Sequence, residues 1–309
     1  MTEQLKLKLN DSKATRWGAL VIVAFTMMAA YYVNDVVAPL KTMLETDLAW
    51  SSTDFGFFTG GYSFLNVFFL MLIWGGLILD RFGIRFTGKL ATILMVGGTA
   101  LEYYAMTGLA GADATLFGIN EIFGYKTGVF VAFAGYSIFG VGAEVAGITV
   151  SKIIAKWFKG KELATAMGVQ VALARIGSQA GYAVAIPLAR AFGISTPVLL
   201  GLVLLLGGMI AFFIFAVMDK KLDKQMEAAA IAAGTEDEEE KFSFKDVKNI
   251  LVNPGFWLIA LLCVLFYSCV FPFQKFASEL MIIKYGINEN VAGTFAGLPA
   301  LGALILTSI

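Results

Sequence analysis

Four ionisable residues stand inside long apolar stretches of this chain: Asp35, Glu102, Glu144 and Arg175. A charge at membrane depth is expensive, so such residues usually face a cavity or a partner. Glu144 and Arg175 offer the clearest chemistry. Arginine gives a carboxylate planar, bidentate contact, and glutamate accepts an ammonium. Three roles are open to the pair: a structural salt bridge, a clamp on the two ends of a zwitterion, or proton carriage by Glu144. Asp35 stands beside Tyr31, Tyr32 and Asn34, a group suited either to a cavity wall or to an interfacial aromatic belt. Glu102, next to Tyr103 and Tyr104, is expected to be buried and hydrogen-bonded. Gln170 and Gln179 flank Arg175, and Asn66 resembles them; each suits a polar lining or a helix–helix hydrogen bond.

Other chemistries are excluded by composition. The chain has no histidine, which removes histidine metal sites, Ser-His triads and histidine proton relays. No cluster pairs a nucleophile with a base, so no enzyme and no cofactor are expected. The net charge is +0, and nothing points to a nucleic-acid partner. Cys263 and Cys269 share one apolar stretch and read as small packing residues. Gly140 and Gly142 lie within an apolar helix with no strand before them. They therefore read as sites of close helix approach rather than as part of a dinucleotide fingerprint.

The elements that must position these residues are transmembrane helices. The chain is 58% hydrophobic and 15% charged, against about 45–50% and about 25% for soluble domains. The apolar residues are contiguous, and about 20 of them cross the ~30 Å hydrocarbon core as a helix. The pattern predicts helices over 17–40, 55–79, 86–109, 128–150, 163–188, 197–218 and 256–273, with an eighth from 291 to 309. The first is too long for a signal peptide and lacks its cleavage site, so it is read as retained. Alternating ten-residue strands are absent, which argues against a β-barrel.

Basic residues orient the helices. The N-terminal tail, the loop holding Arg81, Arg85 and Lys89, the loop holding Lys152, Lys156, Lys159 and Lys161, and the segment after 218 are rich in Lys and Arg. The alternate loops carry only Lys41, Lys126, Arg190, Lys275 and Lys284. This places the N-terminus and the central segment in the cytoplasm. The sequon Asn10-Asp11-Ser12 falls on that same side, and a bacterial inner membrane is expected. Within 219–255 the sequence predicts a short helix over 220–233 stopped by Gly234, then a solvated acidic run, 236–240, and a weakly amphipathic stretch, 243–252, lying on the membrane surface.

Two motifs carry a family resemblance. Residues Gly76-Leu77-Ile78-Leu79-Asp80-Arg81-Phe82-Gly83-Ile84-Arg85 resemble the G-x-x-x-D-R-x-G-x-R signature between helices 2 and 3 of the major facilitator superfamily. Its glycines permit a tight turn. Asp80 can face a helix N-terminus, and Arg81 and Arg85 can hold helix C-terminal carbonyls. The runs FGVGAEVAG (139–147), WFKGKELATAMG (157–168), ARIGSQ (174–179), NPGFW (253–257) and VFPF (270–273) look like the lysosomal dipeptide transporter branch of that superfamily.

The resemblance implies an all-α membrane protein of the major facilitator fold. A complete six-helix bundle would occupy 1–218, a cytoplasmic linker 219–255, and the first one and a half to two helices of a second bundle 256–309. The chain is expected to be a truncated product, since it stops inside helix 8. The function implied is secondary transport, with a lipid bilayer as surroundings and a small-molecule substrate, a dipeptide. An organic anion or monocarboxylate held by Arg175 is the alternative substrate, and a truncated non-transporting membrane protein the alternative role. In this branch, positions matching Glu144 and Arg175 contact the peptide termini, and Tyr31, Tyr32, Asp35 and Gln170 are candidate neighbours. Gly76, Asp80, Arg81, Gly83 and Arg85 would form the gating motif.

Overall fold

A computed structural model describes residues 8–111, 114–233 and 249–306. The main helices are α1 (Lys13–Val36), α2 (Lys41–Asp47), α3 (Ser52–Phe68), α4 (Met71–Thr107), α5 (Thr127–Trp157), α6 (Leu163–Phe192), α7 (Thr196–Ala233), α8 (Pro254–Tyr285), α9 (Glu289–Ala296) and α10 (Leu298–Leu306). By length and composition, four described helical stretches can cross a membrane: Lys13–Asp47, Thr127–Trp157, Thr196–Ala229 and Pro254–Tyr285. The bent pair α3–α4 adds a fifth if it is one span.

Helix starts are set by local polar chemistry. Ser51 and Asp54 form a reciprocal capping box at α3, with Ser51 Oγ accepting from Asp54 N at 3.1 Å and Asp54 Oδ2 from Ser51 N at 2.8 Å. Asn253 caps α8 by accepting from Gly255 N at 2.9 Å. Pro254 follows at the first helical position, where no amide donor is needed.

The direction of each pass can be read from its contacts with α5. Tyr62 bonds Glu144, Gly75 abuts Val145, and Asp80 pairs with Lys152. The two segments run in the same direction over this stretch. Beyond Gly83 the order reverses: Met95 and Ala91 abut Gly142, Gly98 abuts Phe139, and Leu109 abuts Gly128. The turn is at Gly83 itself, where φ is 75° and ψ 172°, a conformation that glycine adopts without steric cost. The stretch α4 therefore contains the end of one pass and the whole of the next, with the turn at Gly83 between them.

Small residues let the passes touch. A Cβ at Gly98 would lie 2.4 Å from Phe139 N, and one at Gly140 would lie 2.4 Å from Tyr62 O. Gly142 meets Ala91 and Met95 in the same way. These glycines serve close backbone approach, as expected. The core between the passes is filled by Val23, Tyr136, Phe139, Trp157, Phe212 and Phe215, all buried.

Four expected helices differ from the sequence reading, and a hairpin is added to it. Expected helix 2 is broken at Phe69–Leu70, where Leu70 has φ 51°. Expected helix 6 does not end at 218: α7 runs on to Ala233. Neither Gly nor Pro interrupts it between Gly208 and Gly234, and Leu222 is fully buried, so the polar stretch continues the helix instead of starting a new one. Helix 7 continues past 273 to Tyr285, and helix 8 is split at Gly297 into α9 and α10. A hairpin, β1 (Glu121–Ile122) and β2 (Tyr125–Lys126), precedes α5. Its two-residue turn, Phe123–Gly124, has positive φ at both positions, the twist that tight hairpins prefer. Gly234, 236–240 and most of 243–252 lie outside the described residues. Cys263 and Cys269 are exposed on α8 rather than packed.

α8 joins the other helices through its C-terminal half. Ala277 and Ser278 are buried, Tyr182 on α6 donates to Gln274 O at 3.1 Å, and Lys41 on α2 pairs with Glu279. Arg190 on α6 pairs with Glu289 at the start of α9. The N-terminal half of α8, from Phe256 to Phe273, is largely exposed and apolar.

Candidate functional site

A cavity of about 480 Å³ lies where α1, α3, α5 and α8 meet. Its wall includes Tyr31 and Asn34 from α1, Thr59 and Tyr62 from α3, Glu144 from α5, and Lys275 from α8. Glycines at 56, 60 and 147 keep the space open. Glu144 Oε1 accepts from the Tyr62 hydroxyl at 2.8 Å. Tyr62 in turn stands beside Tyr136, with ring centroids 5.7 Å apart. The carboxylate is thus fixed by one phenol and half-buried, with its other oxygen free of protein partners among the described residues.

Glu144 and Arg175 form no direct salt bridge among the described residues; no N···O contact within 4.0 Å joins them. Tyr31 stands between their roles. The Arg175 guanidinium lies over the Tyr31 ring at 5.5 Å from its centroid, and Tyr31 is part of the cavity wall while Arg175 is not.

The remaining candidates separate. Asp35 is buried, accepts from Asn34 Nδ2 at 2.9 Å, and lies 3.8 Å from Lys275 Nζ. Tyr32 is buried against α7, its hydroxyl donating to Pro197 O at 3.2 Å, and stands outside the cavity wall. Gln170 is half-buried on α6, also outside the wall. Gln179 donates to Thr294 O at 3.5 Å, joining α6 to α9. Asn66 donates to Tyr62 O at 3.0 Å within its own helix. Glu102 is fully buried, but neither carboxyl oxygen has a hydrogen-bond partner among the described residues. The expected bond is absent; around Glu102 the α4–α5 seam is packed backbone to backbone, with Gly135 against Gly98 O and Glu102 N.

Lys275 is the residue that sequence reasoning missed. The sequence pattern ends helix 7 at 273 and so leaves this residue as a loop charge. The signal was present: Phe276, Ala277, Leu280 and Met281 continue the apolar spacing beyond it. Its ammonium donates to Asn34 O at 2.6 Å and to the Tyr136 hydroxyl at 3.1 Å, and Tyr136 donates to Asn34 O at 2.8 Å.

The signature motif builds a separate ionic cluster. Asp80 pairs with Lys152 at 2.8 Å rather than facing a helix N-terminus. Arg85 holds Asp219 at 3.2 Å and also pairs with Asp223, rather than holding helix carbonyls. Lys156 bridges the same two aspartates at 2.7 Å and 2.5 Å. Asp219 is fully buried and also accepts from Trp157 Nε1 at 2.9 Å. Arg81 stays exposed over the Phe82 ring, and a Cβ at Gly76 would meet nothing within 4 Å. The sequence marked Arg85 but not Asp219, which looked like the first residue of a linker.

Close-packed, glycine-rich apolar helices, an ionic cluster on the tight turn at Gly83 and a charged cavity against α8 together define an integral, multi-pass membrane protein. The chain belongs to the major facilitator superfamily, whose family model matches residues 20–309. It is similar to the lysosomal dipeptide transporter MFSD1 of Homo sapiens, 27% identical over 293 residues, 90% of this chain and 57% of that protein. The Danio rerio protein of the same name is 27% identical over 280 residues, 87% of this chain and 55% of its own length. The Gallus gallus protein is 33% identical over 171 residues, 51% and 36% of the two chains. This chain spans about half the length of the curated relatives it matches.

Proposed function

We propose that the protein is a secondary transporter that moves a small zwitterionic solute, most specifically a dipeptide, by alternating access. The observation that carries the reading is the cavity lined by both Glu144 and Lys275, with Arg175 against the ring of Tyr31. A zwitterion has an ammonium to give Glu144 and a carboxylate to give the cations. Tyr31, Tyr62 and Phe271 supply apolar and aromatic surface between those ends. The relatives' names supply the dipeptide, and Asp35 belongs to the site through Lys275. Tyr32 takes part from outside the wall, by joining α1 to α7 through Pro197 O, and Gln170 would join the site as polar surface on α6.

The site lies between α8 and the helices before it, so relative motion of the two would open and close it. The signature cluster around Gly76, Asp80, Arg81, Gly83 and Arg85 would steady one end of that motion. On this reading the basic loops favour the cytoplasmic side for this end and for the N-terminus, and the membrane is a bacterial inner membrane. Domain limits of 1–218, 219–255 and 256–309 follow the same reading, with α7 extending across the first of them.

A monocarboxylate or other organic anion is the second reading, because a carboxylate alone satisfies Lys275 and Arg175 without using Glu144. Calorimetric titration of the purified protein in lipid nanodiscs separates the two. Dipeptide binding with weak binding of lactate or benzoate supports the zwitterion. Tight binding of those anions and none of dipeptides supports the alternative. Binding without flux in proteoliposomes would instead mark a non-transporting membrane protein.

A further inference from the structure

We propose that Lys41 is the pin of a gate: its bond to Glu279 holds the cavity shut at the end away from the Gly83 turn. This rests on the alternating-access reading above and names a contact that controls it.

The two halves of α8 are placed very differently. Toward its C-terminus, Ala277 and Ser278 are buried. Phe276 meets Phe55 of α3 edge-on, with ring centroids 5.7 Å apart. Just beyond, α9 closes on α6, where a Cβ at Gly293 would lie 2.4 Å from Tyr182 O. From Leu261 to Cys269, by contrast, every residue is exposed. At 3.6 residues per turn, such a run points to all sides of the helix. This half of α8 therefore stands clear of the earlier helices instead of turning one face to them. The cavity reaches α8 at Phe271, between the two regimes. It is covered at the Lys41 end and uncovered toward the end that carries Gly83.

Lys41 is the centre of the covered end and is 1% exposed. An ammonium has three donors, and each of these has an acceptor: Glu45 Oε1 at 2.7 Å, Ser52 Oγ at 2.9 Å, and Glu279. Glu45 shares α2 with the lysine and Ser52 begins α3, so Glu279 is the acceptor that lies across the seam. Arg190 and Glu289 make a second crossing pair, but their side chains are 47% and 37% exposed. Water screens such a pair and leaves it weak. The shielded lysine is thus the stronger hold. It is also a reversible one, because both ions regain water when the seam opens, which offsets much of their attraction.

The test is the accessibility of a reporter, Thr59→Cys, on the cavity wall in a chain lacking Cys263 and Cys269. Its labelling by a small impermeant thiol reagent is followed from each face of the membrane, in intact cells and in inside-out vesicles. With Lys41 present, labelling should be fast from the face that carries Gly83 and slow from the other. Lys41→Met and Glu279→Gln should each speed the slow labelling by roughly 10- to 100-fold, the scale of one charged hydrogen bond. Combining them should add little, since they break the same bond. Lys41→Arg should keep labelling near the slow rate, and so should Glu45→Gln, which leaves the crossing bond in place. No acceleration in Lys41→Met and Glu279→Gln, or an equal acceleration in Glu45→Gln, overturns the gate. No substrate enters this measurement, so that result leaves the zwitterion reading to the calorimetric titration. Equal labelling from both faces before any change at Lys41 would overturn the gate and alternating access together.

Discussion

Removing Asp219 should cost the fold far more than removing its neighbour Asp223, although both bind Arg85 and Lys156. Asp219 is fully buried and accepts from Trp157 Nε1 at 2.9 Å. Trp157 is itself 1% exposed. Asp219→Ala strands that indole donor in an apolar core, a penalty of about 1–3 kcal/mol. It also weakens two ion pairs, and Arg85 and Lys156 retain Asp223 in part compensation. The total should be about 2–4 kcal/mol, toward the lower side of what breaking a buried ion pair costs. Asp223 has 39% side-chain exposure and no buried donor of its own, so Asp223→Ala should cost at most about 1 kcal/mol. Equilibrium unfolding in mixed detergent–SDS micelles, followed by tryptophan fluorescence, measures both. Equal losses, or a larger loss for Asp223→Ala, would refute the claim that α7 is pinned at 219 by burial.

We predict three further outcomes. Gly98→Leu should separate α4 from α5 and lower expression and melting temperature sharply, because a Cβ there already lies 2.4 Å from Phe139 N; a variant that melts like wild type would contradict the packing, and Gly97→Leu, which meets nothing within 4 Å, is the control. The N-terminal segment should undock in acid. Lys161 beside Asp11, and Arg16 and Trp17 beside Glu162, hold these carboxyls below their ordinary range. A depressed folded value stabilises the docked state above the usual carboxylate range and is lost as pH falls through the depressed one. Hydrogen exchange over 8–16 should therefore be slow near neutral pH and accelerate below about pH 4, and a flat profile would oppose it. Under the proposed orientation, Lys159→Cys should resist an impermeant thiol reagent in intact cells while Ala114→Cys reacts, with both variants built in a chain lacking Cys263 and Cys269. The opposite labelling would invert the topology.

Much of the fold was legible because membrane helices obey one strong rule: an apolar stretch about 20 residues long must satisfy its own backbone. That rule locates helices but not their ends. It stopped helix 6 at the first aspartate, Asp219, because a charge normally marks the interface, while Trp157, Lys156 and Arg85 accommodate this one inside. It stopped helix 7 at Phe273 and so left Lys275 in a loop. Both misreadings share a cause: a buried charge is recognisable only through partners that lie far away in sequence, such as Asn34 and Tyr136 for Lys275. The signature turn was legible for the opposite reason. Gly83 is a local requirement of one backbone angle, and it appears at the turn. Glu102 reads from sequence as a hydrogen-bonding group, yet its carboxyl is buried without a partner among the described residues, which shows only once the helices are packed.

The account's central claim is that Glu144 receives the ammonium of a zwitterionic substrate. Binding of a free dipeptide and of its N-acetyl form, measured on wild type and on Glu144→Gln in nanodiscs, tests it most directly. Acetylation should weaken binding to wild type by roughly 10- to 100-fold and leave Glu144→Gln almost unaffected, because the missing partner is already gone. An equal loss on acetylation in wild type and in Glu144→Gln would contradict the claim.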